Sequence, residues 1–436
     1  MTFLFRRVSA RSIAPPATRR SSGGRVIGCA ANWGRILLLM GTLPALAQPA
    51  PKINSVFPEW LQRGGEVEVT FQGENLSEVQ EVLFSGEPGF SGTVVRPATQ
   101  AVNVDSPGNS FSVVPPTPDD KRVKVRIQVE AGRSVSPREA RLASGAGVSN
   151  PVTLHVVDAP WVPEREPNND REAAQRIELP AAIAGRMQVA ADVDVFRFEA
   201  QKGERLVFDV HASRGGSPLD SSLALWDAEG RELARSEDAN LLDSLIRFEV
   251  PEDGVYFLEL RDFQFRGGGG YKYHLMAGAI PYVDRIFPPG GAVGDEVKLS
   301  LTGDNLEGAE SLTLRIAEDA KPGIEEFRAL TEKGAANPVS FHVGVHEETM
   351  EQEPNDTREQ AGALKWPVTV NGRMGSAGDV DWFKFAVIQG DGLVFEALAN
   401  RLGSPLDVLL TLTDAQGTVL ARNDDASGMD ARLAHT

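Results

Sequence analysis

The sequence predicts an all-β protein made of tandem antiparallel β-sandwiches that follow an N-terminal signal peptide. Two observations predict this class. Short segments alternate between apolar and polar residues and are separated by turns rich in Gly, Asn, Asp and Pro, which is the pattern of half-buried strands. The chain also repeats itself, so the same unit recurs along it. With 41% apolar residues among 436, each unit can bury a core of its own.

The repeated motifs all recur at the same spacing. Glu-Pro-Asn at 166–168 returns at 353–355, and Asp-Val-Asp at 192–194 returns at 379–381. Ser-Pro-Leu-Asp occurs at both 217–220 and 404–407. A fixed spacing without gaps indicates a copied module, and two copied modules without catalytic motifs favour a binding or spacer array over a single-site enzyme.

Residues 1–47 predict an export signal, so we expect a periplasmic, cell-surface or extracellular protein. Ile36–Met40 begins an apolar run after an arginine, and Ala45-Leu46-Ala47 is a small-x-small cleavage site. A transit peptide is the alternative. Cys29 is the only cysteine, so the mature chain would have no thiol. We expect no transmembrane segment, because no later run is long and apolar enough to cross a bilayer.

The net charge is strongly negative. It is -17 for the whole chain, and residues 48–436 carry 37 basic against 61 acidic side chains, which gives -24. Such a surface repels nucleic acid and anionic membranes, so we expect neither as a partner. The charge suits cation binding, although it is equally explained by solubility alone.

Residues 52–157 and 280–345 form the first kind of module. An alternating strand, Glu66–Phe71, precedes a Gly-x-Asn-Leu turn at 73–76, and the same frame returns at 296–301 with its turn at 303–306. Fewer residues separate the Gly-x-Asn-Leu turn from the last strand in the second copy than in the first, so the second copy is shorter. We expect it to lack strands, or the first copy to carry an insertion around 86–120, which is rich in Pro, Gly and Ser.

Residues 161–279 and 349–436 form the second kind of module. Short strands recur at even intervals, which predicts an antiparallel sandwich, and a helical turn or two is expected near 170–176 and 357–363. The segments Val255–Leu260 and Tyr271–Leu275 have no counterpart in the second copy. We therefore expect that copy to be truncated at its C-terminus, with open strand edges.

The repeated motifs resemble a known family. Glu-x-Glu-Pro-Asn, Gly-Arg-Met, Asp-Val-Asp-x-Phe and Asp-Gly-x-Tyr together look like the bacterial pre-peptidase C-terminal (PPC) domain, a jelly-roll-like β-sandwich found beside secreted peptidases. The modules at 52–157 and 280–345 resemble Ig-like domains of the IPT/TIG type more loosely, through their Phe-Pro opening and Gly-x-Asn-Leu turn. The alternation is similar to that of exported proteins from planctomycete-like bacteria.

One repeated set of oxygen-bearing side chains predicts a metal site. Residues at i, i+2 and i+4 of an extended linker share one side, and the Asp pair that follows each linker does the same. Four carboxylates meeting at one point would repel each other without a cation, and hard oxygen ligands suit Ca²⁺. The expected ligands of the first copy are Glu164, Glu166, Asn168, Asp192 and Asp194. Those of the second copy are Glu351, Glu353, Asn355, Asp379 and Asp381.

Calcium is also what the resemblance implies, since the same linker helps to hold it in collagen-binding domains similar to this family. The alternative is a solvated linker with an Asp pair that caps a turn. Catalysis is not expected: the sequence has no Gly-x-Ser-x-Gly elbow and no His-Glu-x-x-His pair.

We expect a non-catalytic exported array, stiffened by calcium, for adhesion, spacing or binding of an extracellular protein or polysaccharide. The alternative is the targeting or substrate-binding part of a secreted peptidase whose catalytic domain lies outside this chain.

Overall fold

Of the residues that the structure describes, 51% are in strands and 2% in helices, which confirms the predicted all-β fold class. A computed structural model describes residues 2–7, 49–96, 104–106, 109–111 and 119–436. Within these ranges no helix has the length and apolarity that a bilayer crossing requires.

The predicted signal peptide lies outside the described residues except for one strand. That strand, Thr2–Arg7, joins a sheet near the other end of the chain.

Module 1, formed by residues 52–157, has two main sheets and a two-stranded ribbon. Strand Arg122–Val129 alternates strictly between exposed and buried residues, and Val125 and Ile127 are fully buried in the core between the sheets. Its strands are Lys52–Phe57, Trp60–Gln62, Glu66–Glu74, Val79–Phe84, Phe90–Val95, Val104–Ser106, Asn109–Phe111, Arg122–Val129, Arg138–Ser144, Gly147–Val148 and Val152–Val157.

The Gly-x-Asn-Leu turn has a steric basis that both copies share. A Cβ on Gly73 would lie 1.8 Å from the Lys52 carbonyl oxygen, so only glycine permits the close strand crossing at this bulge. The equivalent Gly303 would meet the Tyr282 carbonyl at 1.9 Å. The following Asn75 has a positive φ of 59°, a conformation that asparagine tolerates well.

Sandwich 1 consists of two five-stranded sheets within 161–278. Their facing sides bury one apolar core, in which Phe196, Phe208 and Tyr273 are fully enclosed. A 3₁₀ turn at Ser213–Gly215 is its helical element, and 170–176 forms turns and a short strand rather than the expected helix. Its strands are Trp161–Pro163, Gln175–Arg176, Ala181–Arg186, Val193–Ala200, Arg205–His211, Ser221–Asp227, Glu232–Ser236, Leu245–Glu249, Gly254–Asp262 and Lys272–Gly278.

Module 2 is a smaller unit, with two three-stranded sheets and a two-stranded ribbon within 282–344. Its core is centred on Val283, Leu299 and Leu301. Its strands are Tyr282–Phe287, Gly290–Ala292, Glu296–Asp304, Ser311–Arg315, Gly323–Phe327, Leu330–Thr331, Gly334–Ala335 and Val339–Gly344.

Sandwich 2 repeats the first part of sandwich 1. Its main sheet has five strands, of which Thr2–Arg7 is the central one. A 3₁₀ turn at Asn400–Leu402 matches that of sandwich 1. Its other strands are Glu348–Met350, Gly362–Leu364, Val368–Asn371, Phe383–Phe385, Leu393–Leu398, Leu410–Thr413, Val419–Asn423 and Arg432–His435.

Candidate metal centre

The linker that enters each sandwich is bound to the sheet that follows it. Strand Trp161–Pro163 pairs in parallel with Ala181–Arg186, and Glu164 continues this pairing by donating its N–H to the Ala184 carbonyl at 3.0 Å. The Arg186 N–H donates to Glu164 Oε2 at 3.2 Å. The Glu164 carboxylate is thereby fixed at the end of the strand, facing the next acidic residues.

Three carboxylates converge in each copy. In sandwich 1 one oxygen from each of Glu164, Glu166 and Asp194 lies within 4.8 Å of the other two. Asp194 is fully buried, Glu164 is half-buried and Glu166 is exposed, so the group opens to solvent on one side. The cluster of sandwich 2 consists of Glu351, Glu353 and Asp381.

Several buried oxygens of these clusters have no hydrogen-bond partner among the described residues. They include Glu164 Oε1, Asp194 Oδ1 and the side-chain oxygen of Asn168, which is itself fully buried. Asn168 is held beside the cluster, because its carbonyl accepts the N–H of Val195 at 2.8 Å. Buried polar atoms in native proteins are nearly always satisfied, and this group of carboxylate and amide oxygens is one that could hold a hard cation such as Ca²⁺.

The same pattern recurs in the second copy of the repeat. Both carboxylate oxygens of Asp381, Oε2 of Glu351 and Oδ1 of Asn355 are buried without a donor among the described residues. Asn355 is fully buried and its carbonyl accepts the Trp382 N–H at 2.9 Å. Two independent copies thus bring the same side-chain types to the same place.

The pKa values of these carboxyl groups are raised. Burial, reinforced by the charges of Glu164 and Asp192, raises the pKa of Asp194 to about 9 against the lowering effect of the Tyr273 hydrogen bond. Burial and neighbouring Glu166 raise the pKa of Glu164 to about 7. Without a cation the cluster therefore holds protons near neutral pH, and a divalent ion would displace them.

The first Asp of each Asp-Val-Asp motif has a different position from the second. Asp192 precedes the strand Val193–Ala200, so its side chain points into a turn, where Oδ2 accepts the N–H of Gln188. Asp379 accepts the Gly375 N–H in the same way. Neither belongs to the three-carboxylate groups. Their charges lie close enough to act on Asp194 and Asp381.

Two residues of the site escaped the sequence analysis. Tyr273 is fully buried and donates its hydroxyl to Asp194 Oδ2, while Oδ1 stays unpartnered among the described residues. Gly185 makes room for it, since a Cβ there would lie 2.3 Å from the Tyr273 hydroxyl oxygen. The repeated Gly-Arg-Met motif could have indicated the glycine, but the tyrosine comes from a distant strand that has no repeat.

The arginine of the Gly-Arg-Met motif joins each sandwich to the module before it. The guanidinium of Arg186 lies 4.1 Å from the ring centroid of Phe57, and that of Arg373 lies 3.7 Å from the ring of Phe287. Both phenylalanines belong to the Phe-Pro openings of the modules. Each cluster therefore lies next to a cation–π contact between module and sandwich.

Comparison with known proteins finds a recognised domain type in part of sandwich 1. Residues 192–262 match the bacterial pre-peptidase C-terminal domain. A probable subtilase-type serine protease of Deinococcus radiodurans is 32% identical over 205 residues, which is 44% of this chain and 26% of that protein. The chain thus spans about a quarter of the length of this curated relative. The matched domain type is non-catalytic.

Solved structures with partial similarity include the pre-peptidase C-terminal domain of collagenase from Bacillus anthracis. It is 22% identical, covers 25% of this chain and 99% of its own, and has a TM-score of 0.21. The secreted serine protease VesC from Vibrio cholerae is 11% identical, with 50% of this chain and 48% of its own covered and a TM-score of 0.18.

Proposed function

We propose that this protein is an exported, non-catalytic array whose sandwiches each bind one Ca²⁺ between the entering linker and the sheet. The observation that supports this most is the convergence of three carboxylates in both copies, together with a buried, unpartnered Asn side chain on each linker, as far as the described residues go. Calcium accepts six to eight oxygen ligands, so the three carboxylates, the Asn side chain, nearby carbonyls and water would complete its shell. Asp192 and Asp379 would support the loop beside the ion.

Bound calcium would fasten the linker to the sandwich. The linker carries Glu164, Glu166 and Asn168. Asp194 belongs to strand Val193–Ala200, which lies in the sheet that does not pair with the linker. An ion held by both would resist separation of the linker, and the array would be stiffer and less open to proteases. This suits a spacer or adhesion protein at the cell surface, with Ig-like modules between the sandwiches.

A preformed loop on sandwich 1 supports a binding role. Phe263 and Phe265 are about half exposed, and the buried Asp262 holds their loop by accepting hydrogen bonds from Gln264 N and from Arg266. An exposed aromatic pair on a fixed loop suits contact with a protein or polysaccharide. We propose this loop as the contact surface of the array.

Calcium titration of the full chain tests the proposal. Calorimetry on the wild type should show two sites, and Glu164→Gln should remove one of them. Glu178→Gln is the matched control, since it removes the same charge from an exposed residue outside the cluster. No heat and no change in melting temperature at millimolar calcium would refute the metal site.

The second candidate is the non-catalytic part of a secreted peptidase. The domain match and the subtilase-type relative support it. The genomic reading frame downstream of Thr436 distinguishes the two candidates. A continuous frame that encodes a peptidase would favour the second, and a frame that encodes further sandwiches would favour the array.

A further inference from the structure

We infer that an exposed apolar surface on sandwich 1 is a docking site for a protein segment that carries apolar side chains next to Lys or Arg. This surface, called the Leu/Phe patch, consists of Leu241, Leu242, Phe263 and Phe265. The docking site rests on the proposed function, because Phe263 and Phe265 belong to the contact loop proposed above. The second loop and the chemistry of the partner are new.

Two neighbouring loops form the Leu/Phe patch. The Leu242 carbonyl accepts the N–H of Ser221 at 3.0 Å, and the carbonyl of the adjacent Asp220 accepts the N–H of Phe263 at 2.7 Å. Both loops are thus bound to consecutive residues of the sandwich. All four apolar side chains are exposed, and Leu241 has 75% of its surface open to solvent. Single exposed apolar residues are common on proteins, whereas a group of them marks an interaction surface.

The backbone at Leu241 shows that the fold itself does not require a leucine there. Leu241 has a φ of 60°, in the left-handed region that favours glycine. The repeat makes it equivalent to Gly428, which has a φ of 62°. Asn240–Asp243 and Ser427–Asp430 are matching turns, each closed by a bridge between its end residues. Sandwich 1 therefore keeps a strained, exposed leucine where its copy has the unstrained residue, and such strain is concentrated at functional sites.

The second loop of the patch shares this property. Phe265 also has a positive φ, of 58°, although its side chain is about half exposed. The guanidinium of Arg261 lies 4.5 Å from the centroid of the Phe265 ring and donates to the Phe263 carbonyl at 3.3 Å. The ring is therefore held in place before a partner binds, which lowers the conformational entropy lost on binding.

Acidic side chains beside the patch indicate the charge of the partner. Burial, and then the charge of the exposed Asp238, raises the pKa of Asp220, and Glu237 adds to this effect. Arg266 brings a positive charge, but its guanidinium donates two hydrogen bonds to Asp262 and is neutralised by it. The surroundings of the patch are thus acidic, like the chain as a whole. Basic groups on a partner would be attracted to this surface and oriented by it.

The aliphatic side chains of the patch favour a protein over a polysaccharide as the partner. Leu241 and Leu242 offer no hydrogen bond to sugar hydroxyls, and burying hydroxyls without partners is costly. Apolar side chains of a protein segment gain free energy from the same contact. A second copy of this chain would bring the same acidic groups together, and like charges across an interface oppose that contact.

A random peptide library displayed on phage, selected on the full chain, tests this inference. We expect the enriched peptides to combine Leu, Phe or Trp with Lys or Arg. Fluorescence anisotropy of one labelled, selected peptide should then show binding to Leu241→Gly that is at least about tenfold weaker than to the wild type. Glu237→Gln/Asp238→Asn should weaken binding by about threefold and reduce its dependence on salt.

The melting temperature separates binding from folding in this experiment. Leu241→Gly should melt no lower than the wild type, because glycine adopts the positive φ without strain, as at Gly428. Leu330→Ala removes another exposed leucine, from module 2, and should leave peptide binding unchanged.

Several outcomes would overturn the inference. These are the enrichment of no peptides or of acidic ones, and equal peptide binding by the wild type and Leu241→Gly. A labelled dextran that binds the wild type and not Leu241→Gly would assign the surface to carbohydrate instead. Phe263→Ser/Phe265→Ser distinguishes the two proposals. If it loses peptide binding while Leu241→Gly keeps it, the contact loop stands and the wider patch is wrong; if both variants keep it, both proposals are wrong.

Discussion

Arg214 forms an ion pair with Asp243 in sandwich 1, with 2.9 Å between Nε and Oδ2. Asp243 is fully buried and also accepts the N–H groups of Ala212 and Ser213, at 3.2 and 2.7 Å. It therefore caps the 3₁₀ turn at Ser213–Gly215 and neutralises the arginine that the turn carries. Arg401 and Asp430 repeat this pairing in sandwich 2 at 2.7 Å.

Asp243→Asn should destabilise sandwich 1 by about 2 kcal/mol, because it removes the charge that holds Arg214 and the N–H groups of the turn, while Asp209, 2.6 Å from the guanidinium, remains as the second counter-charge. Urea unfolding of the variant, followed by tryptophan fluorescence, measures the loss. Asp238→Asn removes a nearby exposed carboxylate and is the control. Equal midpoints for the two variants would contradict a structural role for the pair.

The effect of Glu164→Gln on the melting temperature of sandwich 1 should depend on calcium. Without calcium the substitution should leave the melting temperature of sandwich 1 unchanged or raise it, since it removes a half-buried carboxyl group whose pKa is raised to about 7 by burial. With calcium the wild type should melt higher than the variant, because the ion stabilises only the intact site. Melting curves in chelator and in millimolar calcium measure both, and a variant less stable in both conditions would show a packing role instead.

Gly185→Ala should destabilise sandwich 1 by about 2 kcal/mol, because the new Cβ would lie 2.3 Å from the Tyr273 hydroxyl and 2.9 Å from the Glu164 Cβ. Calcium binding should weaken with it. Gly269→Ala is the matched control, since a Cβ there meets no atom within 4 Å. Thermal melting compares the two, and equal melting temperatures would show that the tyrosine moves aside freely.

Acid should weaken the contact between module 1 and sandwich 1. Burial, and then the charge of Arg214, lowers the pKa of His211 to about 4, and its ring lies 5.7 Å from that of Trp60. Because its pKa is lower in the folded state, His211 binds fewer protons there than in the unfolded chain. Its contribution to the free energy of unfolding is therefore fully present above pH 6.5 and is lost as the pH falls towards 4. The loss is at most about 3 kcal/mol. The titratable and charged groups around it are His155, Arg214, Asp243, His274 and Arg328.

Unfolding measured between pH 7 and pH 4 checks this expectation. His211→Gln should flatten the dependence over that range, whereas substitution of the partly exposed His435 in sandwich 2 should not affect the unfolding of sandwich 1. An unchanged slope in His211→Gln would assign the acid sensitivity to other groups.

The Arg186–Phe57 contact should couple module 1 to sandwich 1 by about 1 kcal/mol. A double-mutant cycle with Phe57→Leu and Arg186→Gln isolates this term from the effects of each change alone. The corresponding cycle at Phe287 and Arg373 should give a similar value, since the two contacts have nearly the same geometry. A coupling near zero in both cycles would mean that the contacts are incidental.

Much of this architecture was accessible from the sequence, since period-2 alternation and the internal repeat predict the strands and the sandwich class. The carboxylates of Glu164 and Asp194 could be predicted from the sequence because their spacing recurs in the repeat. Tyr273 was not, because pairing across 79 residues leaves no local pattern. Asp192 lies in the turn before strand Val193–Ala200, so its side chain does not follow the alternation of the strand. The sequence argument placed it on the same side as Asp194 because it assumed that the strand included both residues.

The contact of Arg186 with Phe57 and its copy at Arg373 and Phe287 have a consequence for motion in solution. Asn305 adds a third fastening, because its side-chain amide donates to the carbonyls of Arg205 and Ile280 at 3.0 and 2.9 Å, across the boundary between sandwich 1 and module 2. Successive units fastened at every boundary should tumble as one body. Fluorescence anisotropy of a label on sandwich 1 would then decay with the slow correlation time of the whole chain, not the faster one of a single sandwich.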